Sequence, residues 1–254
     1  MKHQARKRFG QNFLTDQHII DQIIDQINPQ PTQHIVEIGP GLGALTLPLL
    51  ARCQSLHVIE IDRDLIQKLT AQQLPGLHIH EADVLTVNWQ QFANGNKLRV
   101  VGNLPYNVGT PLMLELLQAA EHVEDIHVML QKEVVERMVA TVGTRAFGRF
   151  SVMMQSSFNM QTLLHVPPSA FSPAPKVHSA IVRLQVLDSR PDSRTIERLS
   201  QATRVAFANK RKTLRNNLKD YITMERLQSA GIDPSARAET LSLQQFLQLA
   251  EMLP

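Results

Sequence analysis

Cysteine is nearly absent from this chain, whose 254 residues include only Cys53. One thiol cannot form an internal disulfide, a cysteine-based metal cluster or an iron–sulfur cluster, so these sites and iron–sulfur radical chemistry are excluded. A lone cysteine is also consistent with a reducing compartment. Because Cys53 follows several apolar residues, we predict that it lies in an apolar helix and belongs to the core.

Long apolar runs and metal-ligand patterns are missing as well. No stretch approaches the roughly 18 consecutive apolar residues of a membrane-spanning helix. The basic start lacks the apolar stretch of a signal peptide. The ten histidines show no metal-ligand spacing. We therefore expect a cytoplasmic globular protein with no metal site and no membrane partner.

The formal net charge of +3 is unevenly distributed. Residues 1–15 carry four basic side chains and no acidic one, and residues 190–254 carry eleven Lys and Arg against seven Asp and Glu. Between them, residues 16–189 carry eleven against sixteen. A slightly acidic body with basic ends favours a nucleic-acid partner held at the periphery. Solvated charge without a partner is the alternative.

Apolar runs alternate with helical segments over most of the chain. The predicted strands are 35–38, 55–61, 77–80, 98–102 and 126–130. This alternation predicts an α/β fold with a parallel, doubly wound sheet. Before the first strand, isoleucines recur on one face of a predicted helix that Thr15 or Asp16 can cap. These isoleucines are Ile19, Ile20, Ile23, Ile24 and Ile27.

The end of the chain changes character. We predict a helix at 149–158 and two further strands, 162–166 and 180–184, joined by a proline-rich segment as a hairpin that closes the sheet. Beyond Asp188 the pattern is helical. The predicted domains are therefore 1–188, which is α/β, and 189–254, which is helical.

A glycine-rich turn follows the first predicted strand and contains Gly39, Gly41 and Gly43. Glycines allow a tight turn and close approach of a ligand, and the next helix offers unpaired N–H groups. At the ends of the following strands, Glu60 can accept both hydroxyls of a ribose and Asp83 can accept from an adenine amino group. The pattern fits S-adenosylmethionine, but it also fits a nicotinamide dinucleotide.

The fourth predicted strand ends in Asn103, Leu104, Pro105 and Tyr106. The Asn103 side-chain oxygen and the Leu104 carbonyl can accept the two hydrogens of an adenine amino group, and Pro105 aims the preceding carbonyl. Tyr106 offers a ring on which the base can stack. An ordinary Asn-Pro turn is the alternative. Two acceptors and a ring suit the methylation of an amine, which favours S-adenosylmethionine at the glycine turn.

Six blocks of the sequence carry a family resemblance. They are 11–14 (Gln-Asn-Phe-Leu), 37–43, Glu60, Asp83, 102–107 (Gly-Asn-Leu-Pro-Tyr-Asn) and 171–177 (Phe-Ser-Pro-Ala-Pro-Lys-Val). Together they resemble the ribosomal RNA adenine N6-dimethyltransferases over essentially the whole chain. Within that family, the sequence most resembles the bacterial enzymes of the small ribosomal subunit.

The resemblance implies a Rossmann-like, S-adenosylmethionine-dependent methyltransferase with a small all-α C-terminal domain. Asn12 and Leu14 would help to hold the methionine end of the cofactor, and Phe171 would stack on the target base opposite Tyr106. The implied catalytic residues are Asn103, Leu104, Pro105, Tyr106 and Phe171. The implied cofactor-binding residues are Asn12, Leu14, Gly39, Gly41, Glu60, Asp83 and Asn103.

The resemblance also implies a substrate. It would be two adjacent adenosines in a hairpin loop near the 3′ end of small-subunit (16S) rRNA, each dimethylated on its amino group within an immature 30S subunit. S-adenosyl-L-homocysteine would be the product. No metal is needed, because the leaving group departs neutral from a positively charged carrier. We expect a monomer.

A basic window lies in the predicted helical domain. It contains Arg204, Lys210, Arg211, Lys212, Arg215 and Lys219 with no acidic residue between them. Because like charges repel one another, such a window favours a phosphate partner over a solvated helix face. Arg204, Arg211 and Arg215 have helix-compatible spacing. Lys176 can also meet a phosphate.

Three other functions fit parts of the pattern. A non-catalytic RNA-binding factor of ribosome assembly could retain the cofactor pocket, and a nicotinamide oxidoreductase could use the glycine turn. Within the family, a large-subunit rRNA adenine methyltransferase would carry the same motifs.

Overall fold

A computed structural model of the protein describes residues 11–106 and 108–253. The basic residues Lys2, Arg6, Lys7 and Arg8, and also Asn107, lie outside the described residues. The described part of the chain forms two compact units. The first contains the residues up to Val135 together with Met160–Val186. The second contains Glu136–Asn159 and the residues from Leu187 onward.

The strands of the first unit form a seven-stranded sheet and a two-stranded ladder. They are β1 (Phe13–Leu14), β2 (His34–Ile38), β3 (Leu56–Glu60), β4 (Leu77–Glu81), β5 (Leu98–Asn103), β6 (Val123–Gln131), β7 (Phe158–Val166), β8 (Phe171–Ser172) and β9 (Ser179–Val186). The large sheet has the order β4-β3-β2-β5-β6-β9-β7, and β1 pairs with β8.

The predicted parallel sheet is confirmed. β2 lies between β3 and β5 in parallel register, β4 follows β3 and β6 follows β5, also in parallel. β9 runs antiparallel to β6 and lies next to β7, so the predicted final pair of strands does extend the sheet at this end. The carboxyl ends of β2 to β5 consequently meet at one edge, where open α/β sheets bind ligands.

Helix α1 (Gln17–Ile27) provides the isoleucine face that the sequence predicted. The Asp16 side chain, rather than Thr15, caps it by accepting from the Ile19 N–H at 3.2 Å. The five isoleucines are buried in one core cluster with residues of β2, β3, β5, β6 and β9, which include Ile35, Val58 and Val101. Burial of one such side chain contributes about 1.5–3 kcal/mol, so this face accounts for the position of α1 against the sheet.

The other α-helices of the described residues range from five to fourteen residues in length. They are α2 (Thr46–Leu50), α3 (Arg63–Thr70), α4 (Trp89–Ala93), α5 (Gly109–Gln118), α6 (Lys132–Met138), α7 (Arg149–Gln155), α8 (Ser193–Ala206), α9 (Leu214–Leu218), α10 (Met224–Ser229) and α11 (Leu243–Met252). Cys53 is buried, as predicted, but it lies beyond the end of α2 and not in a helix. No described helix combines the length and the apolar character needed to cross a membrane.

The second unit is helical around α7, α8 and α11. Phe207 stacks on Phe246 of α11 with ring centroids 5.4 Å apart, and Thr203 of α8 approaches the Met153 sulfur of α7 at 3.7 Å. Residues 136–159, which the sequence placed in the first domain, therefore belong to the helical unit. Phe150, Val152, Met153 and Met154 of α7 are all buried, and α7 contacts α8 and α11 of this unit.

Candidate active site

One cavity of about 360 Å³ lies in the first unit, at the carboxyl edge of β2, β3, β4 and β5. All eleven residues that the sequence singled out for the site line it. They are Asn12, Leu14, Gly39, Gly41, Glu60, Asp83, Asn103, Leu104, Pro105, Tyr106 and Phe171. The cavity is therefore a single site to which separate segments of the chain contribute.

The glycine turn forms one wall of the cavity. Gly39 has a φ of 64° and Gly41 a φ of 60°, a conformation that other residues adopt only with strain. A Cβ atom built on Gly41 would lie 3.2 Å from the Phe13 ring, so the N-terminal segment packs directly over the turn. Glycine at this position allows both the turn and this close approach.

Glu60 ends β3 at the same wall and is buried. Its Oε1 atom accepts from the main-chain N–H groups of Ile61 and Asp62, each at 2.9 Å. Burial raises the pKa of the Glu60 carboxyl, and the N–H groups of Asp62, Ile61 and Gly41 partly offset this effect. Because Oε1 already accepts from two N–H groups, Ile61 and Asp62, we expect a ligand to approach Oε2.

Asp83 lies beyond the end of β4 and is exposed. Its Oδ1 atom accepts from the Leu85 N–H at 3.0 Å, which fixes the loop after the strand. Ile61, Val84 and Leu85 line the cavity beside it. This part of the site therefore combines an acceptor with an apolar surface.

Glu37 is a residue of the site that sequence reasoning did not assign a role. It lies within β2, lines the cavity and is buried. Burial raises the pKa of the Glu37 carboxyl to about 8, a hydrogen bond from Thr46 lowers it and the charge of Glu60 raises it further. The Thr46 hydroxyl donates to Oε2 at 2.7 Å. The carboxyl is consequently protonated at neutral pH when no charged ligand occupies the cavity.

The N-terminal segment closes another side of the cavity. The Gln11 amide donates to Asp62 Oδ2 at 2.9 Å. Strand β1 pairs with β8, and Leu14 lies opposite Phe171. The Thr15 N–H donates to the Ala170 carbonyl at 2.8 Å. The segment is thus held at both ends.

The Asn-Leu-Pro-Tyr corner lies next to the glycine turn, because Ile38 and Gly102 pair on adjacent strands and a Cβ atom built on Gly39 would lie 3.9 Å from the Asn103 carbonyl oxygen. The Asn103 Nδ2 atom donates to the Asn12 carbonyl at 3.2 Å, which orients the amide and leaves Oδ1 as its acceptor. The Leu104 N–H donates to the Met129 carbonyl of β6 at 3.1 Å. The corner is therefore fixed both to the N-terminal segment and to the sheet.

The Tyr106 ring is fixed at its far end as well. Its hydroxyl lies 3.2 Å from the hydroxyl of Ser179, at the first position of β9. Ser179 is buried. Sequence reasoning did not identify this serine, because no motif marks a serine at the start of a strand.

Phe171 lines the cavity, but the residue is only 5% exposed and belongs to the same core cluster as α1. Its main chain pairs with Leu14. The ring thus contributes to packing as well as to the cavity wall. Lys176, further along the same loop, is exposed.

Carboxyl groups are concentrated at the glycine-turn end of the cavity, while the corner offers only neutral polar groups. Within 11–106 and 108–253, no three His, Cys, Asp or Glu side chains are arranged to hold a metal ion. The cavity is suited to a ligand that combines hydroxyl groups, a flat apolar ring and positive charge.

The basic window is exposed throughout. Arg204 lies in α8, Arg215 lies in α9, and Lys210, Arg211 and Lys212 lie in the turn between these helices. The predicted placement of the three arginines on one helix is therefore wrong. The reason is that α8 ends at Ala206, where the Asn217 amide donates to the Ala206 carbonyl at 2.7 Å.

Comparison with known proteins identifies similar sequences over the whole length. The chain matches the family model described as "Ribosomal RNA adenine dimethylase" over residues 2–254. It is 51% identical over 256 residues to the "Ribosomal RNA small subunit methyltransferase A" of Photorhabdus laumondii, covering 99% of this chain and 94% of the relative. It is 52% identical over 253 residues to the protein of the same name in Xylella fastidiosa, covering 97% and 95%.

Two solved structures share the fold. A dimethyladenosine transferase from Plasmodium falciparum is similar with a TM-score of 0.81 at 23% identity, over 93% of this chain and 95% of that chain. The 23S rRNA methyltransferase ErmE is similar with a TM-score of 0.72 at 26% identity, over 95% and 99%. The predicted Rossmann-like methyltransferase fold with a helical C-terminal part is thus confirmed. The chain belongs to the ribosomal RNA adenine dimethylase family and is an rRNA dimethyltransferase.

Proposed function

We propose that this enzyme transfers methyl groups from S-adenosylmethionine to the 6-amino groups of two adjacent adenosines in a hairpin loop near the 3′ end of small-subunit rRNA. Its substrate is an immature 30S subunit in the cytoplasm, and its product is dimethyladenosine at both positions. The observation that carries the proposal is the fixed Asn103 amide, whose Nδ2 atom is held by the Asn12 carbonyl in the cavity that the glycine turn lines.

The acidic end of the cavity fits the methyl donor. Glu60 Oε2 can accept from ribose hydroxyls, Asp83 can accept from an adenine amino group, and Ile61 with Leu85 offers an apolar surface to the flat ring. A positive charge nearby, which the sulfonium and ammonium groups of the donor supply, would favour ionisation of the buried Glu37 carboxyl, whose pKa burial otherwise raises. When bound, the donor supplies an electrophilic methyl group on a sulfonium.

The corner prepares the target amine. An adenine amino nitrogen is a weak nucleophile because its lone pair is delocalised into the ring. Asn103 Oδ1 and the Leu104 carbonyl accept its hydrogens and direct the lone pair outward, and the Tyr106 ring stacks on the base. No strong base is required, since the alkylated nitrogen is acidic enough to release its proton to an acceptor or to solvent. Orientation and preorganised acceptors therefore account for the rate.

A second methyl transfer uses fewer of these contacts. A monomethylated amine has one hydrogen left for Asn103 or Leu104 to hold. The second step consequently depends more on stacking by Tyr106 and Phe171 than the first step does. Phe171 would have to use the part of its ring that faces the cavity, because most of the ring is packed in the core.

The degree of sequence identity to the known relatives favours the small subunit over the large subunit as the substrate. The relatives with about half of their residues identical are named for the small subunit, whereas the large-subunit enzyme ErmE shares 26%. The decisive test is transfer of labelled methyl groups to undermethylated small subunits and, in parallel, to large subunits, followed by mapping of the modified bases. Paired dimethyladenosines in small-subunit rRNA are expected, and labelling of large subunits instead would refute the proposal.

The same assay separates the other candidate functions. A non-catalytic assembly factor would bind small subunits and the donor without transferring methyl groups. A nicotinamide oxidoreductase would be stabilised against heat by the dinucleotide and not by S-adenosylmethionine. We expect S-adenosylmethionine to raise the melting temperature and the dinucleotide to leave it unchanged.

We further propose that the helical unit contacts rRNA phosphates through the basic window. Reversing two charges, Arg211→Glu with Lys212→Glu, should lower the slope of log affinity against log salt concentration by roughly 1 to 2 and weaken binding. The matched control reverses two exposed cations of the first unit, Arg63→Glu with Lys97→Glu. An unchanged slope in the Arg211 and Lys212 variant would place the RNA elsewhere.

A further inference from the structure

We propose that Ser179 is a positioning residue for the target base, acting through the hydroxyl of Tyr106. The inference rests on the proposed function, in which Tyr106 stacks on the adenine. Among the described residues, the Tyr106 hydroxyl at 3.2 Å is the hydrogen-bond partner of the Ser179 side chain. Ser179 itself does not line the cavity, so it touches neither the base nor the donor.

The position of Ser179 is rigid for reasons of main-chain structure. It pairs with Gln131 at the end of the β6–β9 ladder, and the adjacent His178 carbonyl accepts from the Lys132 N–H at 2.9 Å. Ser179 is only 1% exposed. A hydroxyl held in this way is a fixed point at the edge of the sheet.

Tyr106 reaches this fixed point across β6. Its main chain follows the end of β5, whereas Ser179 begins β9, and β6 lies between these strands. The Leu104 N–H anchors the corner to β6 at the Met129 carbonyl. The ring is therefore attached at its Cα end through the corner and at its hydroxyl end through β9, which removes rotation about its side-chain torsions.

A fixed ring plane matters because stacking requires the base and the ring to be parallel. A tyrosine attached at one end only would sample other rotamers and would present its face to the base for part of the time. The hydroxyl pair thus contributes orientation, which is what an enzyme without a strong catalytic base depends on. The effect should be greatest in the second transfer, where stacking replaces a lost hydrogen bond.

The chain allows a double-mutant cycle on this pair. Ser179→Ala removes one hydroxyl, Tyr106→Phe removes the other and keeps the ring, and the double variant removes both. Each single variant should lose about three- to tenfold in kcat, the worth of one neutral hydrogen bond, with little change in KM for the subunit. The double variant should lose no more than either single one.

The ratio of products distinguishes positioning from a structural role. We expect the Ser179→Ala enzyme to accumulate monomethyladenosine, and Ser179→Thr, which keeps the hydroxyl, to restore dimethyladenosine. The control Ser157→Ala removes the hydroxyl of a buried serine in the helical unit and should leave the product ratio unchanged.

Either of two results would overturn the inference. One is additive losses in the cycle, and the other is a loss of both methyl transfers in equal proportion. A wild-type protein that methylates no subunit in the same assay would instead refute the proposed function. Failure of the inference would therefore be observed with the variants, and failure of the proposed function with the wild-type protein.

Discussion

Two adjacent parts of the cavity wall, called here the acidic end and the neutral end, differ in the kind of polar group that they present. The glycine-turn end holds the carboxyl groups of Glu37, Glu60 and Asp83, and burial raises the pKa of the first two. The corner presents an amide, main-chain carbonyls and a tyrosine. A ligand with positive charge fits the first end, and a neutral amine that must be oriented fits the second. Under the proposed function, the carboxyl groups serve binding of the donor, whereas the fixed neutral groups serve the reaction.

The largest effect is expected at the neutral end. Asn103→Ala should lower kcat by about 100- to 1,000-fold, because it deletes one preorganised hydrogen-bonding group. Affinity for the donor should change much less. Asn96→Ala, at an exposed position in the same unit, is the matched control. Near-normal turnover of a folded Asn103→Ala enzyme would exclude Asn103 from the mechanism. It would also contradict the proposal that the neutral groups serve the reaction.

At the acidic end, the effect should appear in binding. Glu60→Gln keeps one oxygen for the N–H groups of Ile61 and Asp62 but replaces the second acceptor with a donor. Affinity for S-adenosylmethionine should fall by about 10- to 100-fold, the worth of a hydrogen bond to a charged group. The rate at saturating donor should stay close to that of the wild type. Calorimetric titration measures the affinity, and the exposed Glu124→Gln is the control. A loss confined to kcat would contradict the assignment.

A smaller effect is expected from the aromatic wall. Phe171→Leu keeps an apolar side chain against Leu14 and removes the ring, so it tests stacking with less loss of packing than Phe171→Ala. Either change should slow the second methyl transfer by about tenfold, within the range for loss of base stacking. The first transfer should slow less. Mass spectrometry of the modified nucleosides gives both rates, and equal slowing of the two would rule out this role.

The last prediction concerns the free energy of unfolding, which should change only modestly for each pH unit. Because the pKa of Glu37 is raised from 4.5 to about 8, the folded protein binds a proton that the unfolded chain releases between these values. Stability from this group is fully present below pH 4.5 and is lost as pH rises to about 8, at up to about 1.4 kcal/mol per pH unit. The free energy of unfolding of Glu37→Gln should therefore rise relative to that of the wild type as the pH increases over this range. Denaturant unfolding at several pH values measures this difference. A constant difference would contradict the raised pKa.

Local patterns allowed much of the fold to be predicted. The isoleucine spacing of α1 and the apolar runs of β2 to β6 are periodic signals that do not depend on distant residues. The short strands β1 and β8 could not be predicted, because two residues show no periodicity and their pairing joins Leu14 to Phe171. Similarly, the run of basic residues did not reveal where α8 ends.

Most predicted site residues came from motifs at strand ends, whereas Asn12, Leu14 and Phe171 came from the family resemblance, and all of them line one cavity. The residues that were missed act through tertiary neighbours. Glu37 lies inside a strand, and its raised pKa depends on burial that only the folded sheet provides. Ser179 meets Tyr106 across a gap of 73 residues in the sequence. Such pairs cannot be inferred from one sequence, whereas the glycine turn and the corner carry their chemistry within a few consecutive residues.

The most direct test is a structure of the enzyme with a non-reactive donor analogue and a hairpin RNA that contains the target adenosines. We predict that the target amino nitrogen lies about 3 Å from both Asn103 Oδ1 and the Leu104 carbonyl oxygen. The donor should lie along the glycine turn, with its sulfonium facing that nitrogen. A Leu104 carbonyl directed into the protein interior, or an amino nitrogen far from Asn103, would contradict it.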